Sequence, residues 1–175
     1  MLSVKKLSLS VLMLTAIFAA AADIKLPIKM ADVAARLKRN CPGHVKVSAE
    51  QDALVIALTE AGRKGGFNGV YALNLKRFAG KKITIMVDVK LSNIEHGGKT
   101  PGSVGKISFG DYGQTLSTKN SDWTTYTFKS AKIPGNGLFK MRISLKNVSG
   151  EVRLRNPHVK ADLPKPTKKK KKKKN

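Results

Sequence analysis

The chain reads as an all-β protein, an antiparallel β-sandwich or jelly roll of about eight strands with one short N-terminal helix. Two observations predict this class: side chains alternate between apolar and polar in run after run beyond His44, and Gly, Asn, Asp and Pro punctuate those runs. A sheet with one apolar face must cover it with another layer. Short alternating strands with almost no helix to supply that layer imply a second sheet.

Both ends of the 175-residue chain have compositions that no packed core shows. Lys5 and Lys6 precede an apolar run from Leu7 to Phe18 and the small residues Ala19 to Ala22. That order predicts a signal peptide over residues 1–22, cleavage before Asp23 and a secreted or periplasmic protein. The run falls short of the ~20 apolar residues of a membrane span. At the other end Lys168 to Lys174 follow Pro164 and Pro166, and self-repulsion without apolar groups predicts a disordered tail over residues 164–175. One domain, residues 23–163, remains.

Within it, Met30, Val33, Ala34 and Leu37 recur at helical spacing, and Asn40, Pro42 and Gly43 supply the stop. The clearest strand is Ile83 to Leu91, with Ile83, Ile85, Val87, Val89 and Leu91 on one face. Leu138 to Lys146 is another, placing Phe139, Met141, Ile143 and Leu145 inward. Val152 and Leu154 alternate with Arg153 and Arg155, and the short Asn147–Gly150 link predicts a hairpin between these two runs. Further strands are expected at Val45–Val47, Ala53–Leu58, Val70–Leu75, Val104–Phe109 and Trp123–Phe128.

The formal charge of +23 falls to +13 on residues 23–164 once both ends are removed, so the body is itself basic. For an exported protein that balance points to acidic polysaccharide or other anionic cell-envelope polymers rather than to specific nucleic-acid recognition. The run Lys168–Lys174 adds a salt-sensitive anchor for peripheral contact with an anionic membrane surface. Cys41 is the single cysteine, so an intramolecular disulfide is excluded, and it reads as a structural thiol.

Catalytic signatures are missing. Glycoside hydrolysis needs two carboxylates held ~5 to 9.5 Å apart, whereas Asp88 is expected on a polar strand face and Glu95, Asp111 and Asp122 in loops. His44, His96 and His158 lack a nucleophile motif and lack metal-ligand spacing with Cys41 or one another. Gly62-Arg63-Lys64-Gly65-Gly66 departs from the phosphate-loop pattern and reads as an inter-strand loop. An enzyme is not expected.

The segment Asp122-Trp123-Thr124-Thr125-Tyr126-Thr127-Phe128, then Phe139 to Leu145, then Ser149-Gly150-Glu151-Val152-Arg153-Leu154-Arg155-Asn156-Pro157-His158-Val159 resembles the C-terminal half of CenC-like carbohydrate-binding modules. Upstream, Gly80-Lys81-Lys82-Ile83-Thr84-Ile85 and Phe67 to Leu75 extend the resemblance to residues 45–160. It implies a jelly roll of the galactose-binding-like group. It also implies a non-catalytic role, in which aromatic rings stack on sugars and polar side chains choose among hydroxyls. Where many such modules end in an Asp-rich strand near a structural calcium, this chain has Arg153, Arg155 and Asn156, and no cofactor is expected.

Tyr71, Tyr112 and Trp123 are the candidate stacking residues. Tyr71 and Trp123 read more readily as core rings than as ligand platforms, while Tyr112, within Gly110-Asp111-Tyr112-Gly113, is expected in a loop. In the expected hairpin Lys146 opposes Glu151, Ser144 opposes Arg153 and Arg142 opposes Arg155. That cationic face makes Arg142, Arg153 and Arg155 candidates for carboxylated or sulfated glycan. The resulting expectation is an exported carbohydrate-binding module favouring anionic polysaccharide. The alternative is a structural or adhesion protein held to acidic envelope polymers by its basic body and lysine tail.

Overall fold

The computed structural model describes residues 22–26, 28–97, 102–117 and 119–161. The expected signal segment before Ala22 and the lysine tail lie outside these residues. In chain order the elements are β1 (Ala22–Lys25), α1 (Met30–Lys38), β2 (Val45–Glu50), β3 (Ala53–Leu58), β4 (Gly66–Asn74) and β5 (Lys82–His96). They continue with β6 (Gly105–Phe109), β7 (Tyr112–Leu116), β8 (Ser121–Lys132), β9 (Leu138–Lys146) and β10 (Val148–Ala161).

The strands form two antiparallel sheets, as the alternation predicts. The larger has the order β2-β3-β10-β5-β8 with β1 added to the far end of β10, and the smaller has the order β4-β9-β6-β7. From the larger sheet Ile83, Ile85, Val87, Val89 and Leu91 are buried, and from the smaller Phe139, Met141, Ile143 and Leu145 meet them in one core. Phe109 of β6 and Phe128 of β8 join the layers edge to face, with ring centroids 4.8 Å apart and planes at 64°. α1 packs on β2, β3 and β4 through its expected apolar face, Met30, Val33, Ala34 and Leu37. Gly69 permits that approach, since a Cβ there would lie 2.9 Å from Leu37 Cδ2 and 2.7 Å from the Phe67 ring. The Cys41 thiol donates to the Leu37 carbonyl at 3.2 Å, and desolvation raises its pKa, in keeping with a structural role.

The expected hairpin between β9 and β10 does not form. β9 pairs with β4 and β6, whereas β10 pairs with β3 and β5, so the two runs lie in opposite sheets. Their apolar faces meet across the core instead of lying side by side. Asn147 alone makes the crossing, in the left-handed conformation at φ 50°. Its N–H donates to Gly65 O at 2.9 Å, and its carbonyl accepts from Gly97 N–H at 2.8 Å. Arg142 therefore opposes Val70 and Ser108, and Arg155 opposes Asp88, so the repelling arginine pair is absent.

Other departures are smaller. β1 is too short to show a period, and β7, Tyr-Gly-Gln-Thr-Leu, lacks apolar alternation because it is an edge strand with four exposed residues. Tyr112 thus begins a strand, after a two-residue turn at Gly110 and Asp111, rather than sitting in a loop. Glu95 and Asp122 also lie in strands, and Glu60–Lys64 forms a short 3-10 helix where a loop was expected.

Replacing Phe128 by Ala removes one ring of the inter-sheet pair and should lower unfolding free energy by about 3–5 kcal/mol. At the crossing, Asn147→Val should cost about 1–2 kcal/mol and Asn147→Gly far less, because a β-branched residue resists the left-handed region. Urea unfolding of the variants measures both; equal stability of the Val and Gly variants would contradict the crossing geometry.

Candidate functional site

Of the four register shifts in the larger sheet, two bear on the position of Trp123 and Arg155 on its outer face. Between the pairs Val89↔Thr124 and Leu91↔Ser121, β8 has two residues, Asp122 and Trp123, where β5 has only Lys90. Between Arg155↔Asp88 and His158↔Met86, β10 has Asn156 and Pro157 opposite Val87 alone. Such insertions twist a strand locally and re-aim side chains. Here they flank one shallow groove of about 310 Å³, lined by Glu50, Gln51, Ala53, Lys90, Ser92, Trp123, Glu151, Arg153 and Arg155. Gln51 reaches it from the β2–β3 turn, in which Gln51 and Asp52 both have positive φ, 45° and 64°.

The groove is ordered by charge. Asp88, with 18% of its side chain exposed, accepts hydrogen bonds from Thr125 Oγ1 at 2.8 Å and Asn156 Nδ2 at 3.0 Å. Its Oδ2 also lies 3.7 Å from Arg155 Nε, an ion-pair distance too long for a hydrogen bond. Arg155 in turn places its guanidinium 3.9 Å from the centroid of the half-buried Trp123 ring, within cation–π range. Arg153 is gripped from two sides, by Glu151 and by Glu50 at 3.3 Å. Lys90 Nζ donates to Asp122 Oδ1 at 3.1 Å. That hydrogen bond, followed by one from the Trp123 backbone N–H and by the Lys90 charge, holds the Asp122 carboxyl below its ordinary pKa.

Of the sequence candidates, the structure brings together Trp123, Arg153 and Arg155. Arg142 is exposed on the outer face of the smaller sheet. Tyr71 is half-buried on β4, in register with Met141, and lines a separate cleft of about 420 Å³ with Leu26, Ile28 and Lys29. Tyr112, 42% exposed, is in register with Phe109 at the opposite edge of that sheet. The aromatic candidates therefore occupy separate places. Sequence reasoning did not select Glu50, Gln51, Lys90, Ser92 or Glu151. The outward alternation of Asp88 and Lys90 on one strand was the available signal, but a strand face becomes a groove only through the bulges beside it.

Each cation of the groove has a carboxylate within ion-pair distance, although Arg155 Nε makes no hydrogen bond. What remains available is a half-covered indole bordered by amide, hydroxyl, carboxylate and guanidinium groups, an arrangement suited to a flat ligand rich in hydroxyls. Among the described residues, no group of three or more His, Cys, Asp or Glu is placed to hold a metal.

No family model matches the chain, and no curated protein matches it. Among solved structures, it is similar to a CBM4 module at 16% identity over 67% of this chain and 77% of the other, with a TM-score of 0.42. It is similar to the family 11 carbohydrate-binding module of the cellulosomal cellulase Lic26A-Cel5E of Clostridium thermocellum at 14% identity, covering 69% and 82% of the respective chains, with a TM-score of 0.42. A family 29 carbohydrate-binding module is similar at 15% identity over 70% of this chain and 80% of the other, with a TM-score of 0.40. Likenesses this distant carry no ligand or residue role across, and the functional reading rests on the groove itself.

Proposed function

We propose that the chain is an exported, non-catalytic carbohydrate-binding module of CenC-like type that favours anionic polysaccharide and receives a sugar in the groove of the larger sheet. The observation that carries this reading is the Trp123 ring, set at the mouth of a polar groove by a bulge and steadied by Arg155. A sugar ring offers one apolar face and a rim of hydroxyls. The exposed part of the indole meets the face, while Gln51, Ser92 and the rim of Glu50, Glu151 and Arg153 meet the hydroxyls. Asp88 acts at one remove, positioning Arg155.

Pairing of every groove cation with a carboxylate supports a binding role over a catalytic one. The acids order the face instead of flanking a scissile bond as an acid and a base must. Export to a secreted or periplasmic site is supported by the basic, apolar and small-residue sequence of Lys5 to Ala22. Preference for anionic material is supported by the +13 charge of residues 23–164, and the Lys168–Lys174 run adds a peripheral anchor on anionic surfaces.

Titration of the full chain with soluble neutral polysaccharides by calorimetry and affinity electrophoresis tests the groove. Trp123→Ala should weaken binding by at least about tenfold, the equivalent of ~1.4 kcal/mol. Asp88→Ala should weaken it by a smaller factor. An unchanged affinity in a folded Trp123→Ala variant overturns the site.

The depressed pKa of Asp122 fixes the sign of the pH effect. Its bond to Lys90 is present above the ordinary carboxylate range and is lost only as pH falls through its lowered folded-state value. The Lys90–Asp122 bond should therefore persist from neutral pH through that range and break below it, read from the Asp122 side-chain carboxyl signal by NMR. In Lys90→Ala, NMR titration should show the Asp122 midpoint moving upward.

A further inference from the structure

The smaller sheet presents a face of opposite character. Its four strands, β4, β6, β7 and β9, contain no Asp or Glu. Their cations are Lys106, Lys140, Arg142 and Lys146, and all four are exposed. None is ion-paired among the described residues, in contrast to every cation of the groove.

Register aligns these charges into a file. On β9, Lys140, Arg142 and Lys146 occupy alternate outward positions, which a strand separates by about 6.8 Å, with Ser144 in the remaining position. Lys106 of β6 is in register with Ser144, and its side chain extends over Gly113 of β7, flanking the file on the side away from β9. The file on β9 thus spans about 20 Å, with Ser144 between Arg142 and Lys146. At the Lys140 end the sheet meets α1 in a cleft of about 350 Å³, where Arg36 and Lys140 accompany Asn40, Asn68 and the exposed Val70.

We infer that this face is a second binding surface, on which a linear acidic polysaccharide lies along β9 with one acidic sugar seated between Arg36 and Lys140. The cleft offers cations for a carboxylate or sulfate, two amides for hydroxyls and an apolar side chain for a sugar face. Nucleic acid fits less well. Aromatic residues of these strands take the inward register: Phe67, Phe109 and Phe139 are buried, Tyr71 pairs with Met141 and Tyr112 with Phe109, so bases would find no stacking platform on the outer face. The inference deepens the proposed preference for anionic polysaccharide, but it assigns that preference to a surface other than the Trp123 groove.

The test uses the full-length protein and two polymers, polygalacturonate and a neutral cellulose derivative, in affinity titrations at low and high salt. Combined Lys106→Gln, Lys140→Gln, Arg142→Gln and Lys146→Gln substitution should weaken polygalacturonate binding by at least about tenfold at low salt, since each exposed pair contributes up to ~1 kcal/mol. Its salt dependence should flatten and neutral-polymer binding should persist. Arg142→Glu alone should weaken binding several-fold and Arg142→Lys should not, which keeps the test decisive if the combined variant folds poorly. Retained polygalacturonate affinity in the combined variant, with loss when Lys168–Lys174 are replaced by Gln, overturns the inference in favour of the tail. Loss on Trp123→Ala alone overturns it in favour of the groove, and tighter file-dependent binding of single-stranded DNA than of polygalacturonate overturns the choice of polymer. Failure of the neutral polymer to bind, with the file-dependent loss intact, removes the groove reading and leaves this one standing.

Discussion

Asn147 changes sheets in a single residue, and the architecture depends on that step. Because β9 ends in the smaller sheet and β10 begins in the larger one, their apolar sides face each other through the core rather than forming one surface. The crossing keeps its hydrogen bonds by donating toward Gly65, beside β4, and accepting from Gly97, beyond β5. Those two bonds keep the backbone paired where the chain leaves one sheet for the other. Once β10 is committed to the larger sheet, its length lets it pair with β5 along one side and with β3 and β1 in succession along the other.

That step also explains what was and was not legible in the residues. Alternation on β9 is strict, and on β5 the buried Met86 alone interrupts it between Ile83 and Leu91, so the inward sets are readable to the residue. The helical spacing of Met30, Val33, Ala34 and Leu37 was equally plain. Pairing was not legible. A short polar link between two alternating runs normally signals a hairpin, and nothing in Asn147-Val148-Ser149-Gly150 distinguishes a turn within a sheet from a passage between sheets. The difference lies in Val148, which is fully buried, and in Gly150, whose φ of 111° and 2.4 Å approach to Asn93 O, measured from a built Cβ, mark a bulge against β5. Those are tertiary facts.

The same loss of information governed the site. Trp123, Arg153 and Arg155 could be named as candidates, but their meeting depends on extra residues in β8 and β10 that no period reveals. Arg142 was grouped with the other arginines through the hairpin and stands instead on the far face of the molecule. This separation divides the electrostatics of a basic protein into two styles. The groove pairs its cations with carboxylates and is left with directional hydrogen-bonding groups; the outer face of the smaller sheet leaves its cations open. A uniform count of charge cannot show that division, and it bears on function more than the total does.

The sheet margins carry a final consequence. A sandwich of open sheets exposes unpaired N–H and C=O groups along its outermost strands, which invite other chains to add on. Here β7 lies beside β8, and Gln114 Nε2 donates to Thr127 O at 3.1 Å, stitching one border closed across the gap between layers. Lys129 and Lys132 on β8 and Lys46 on β2 place like charges along the rest. Copies of a protein built this way repel one another, when held close together, where they would otherwise fuse into a shared sheet.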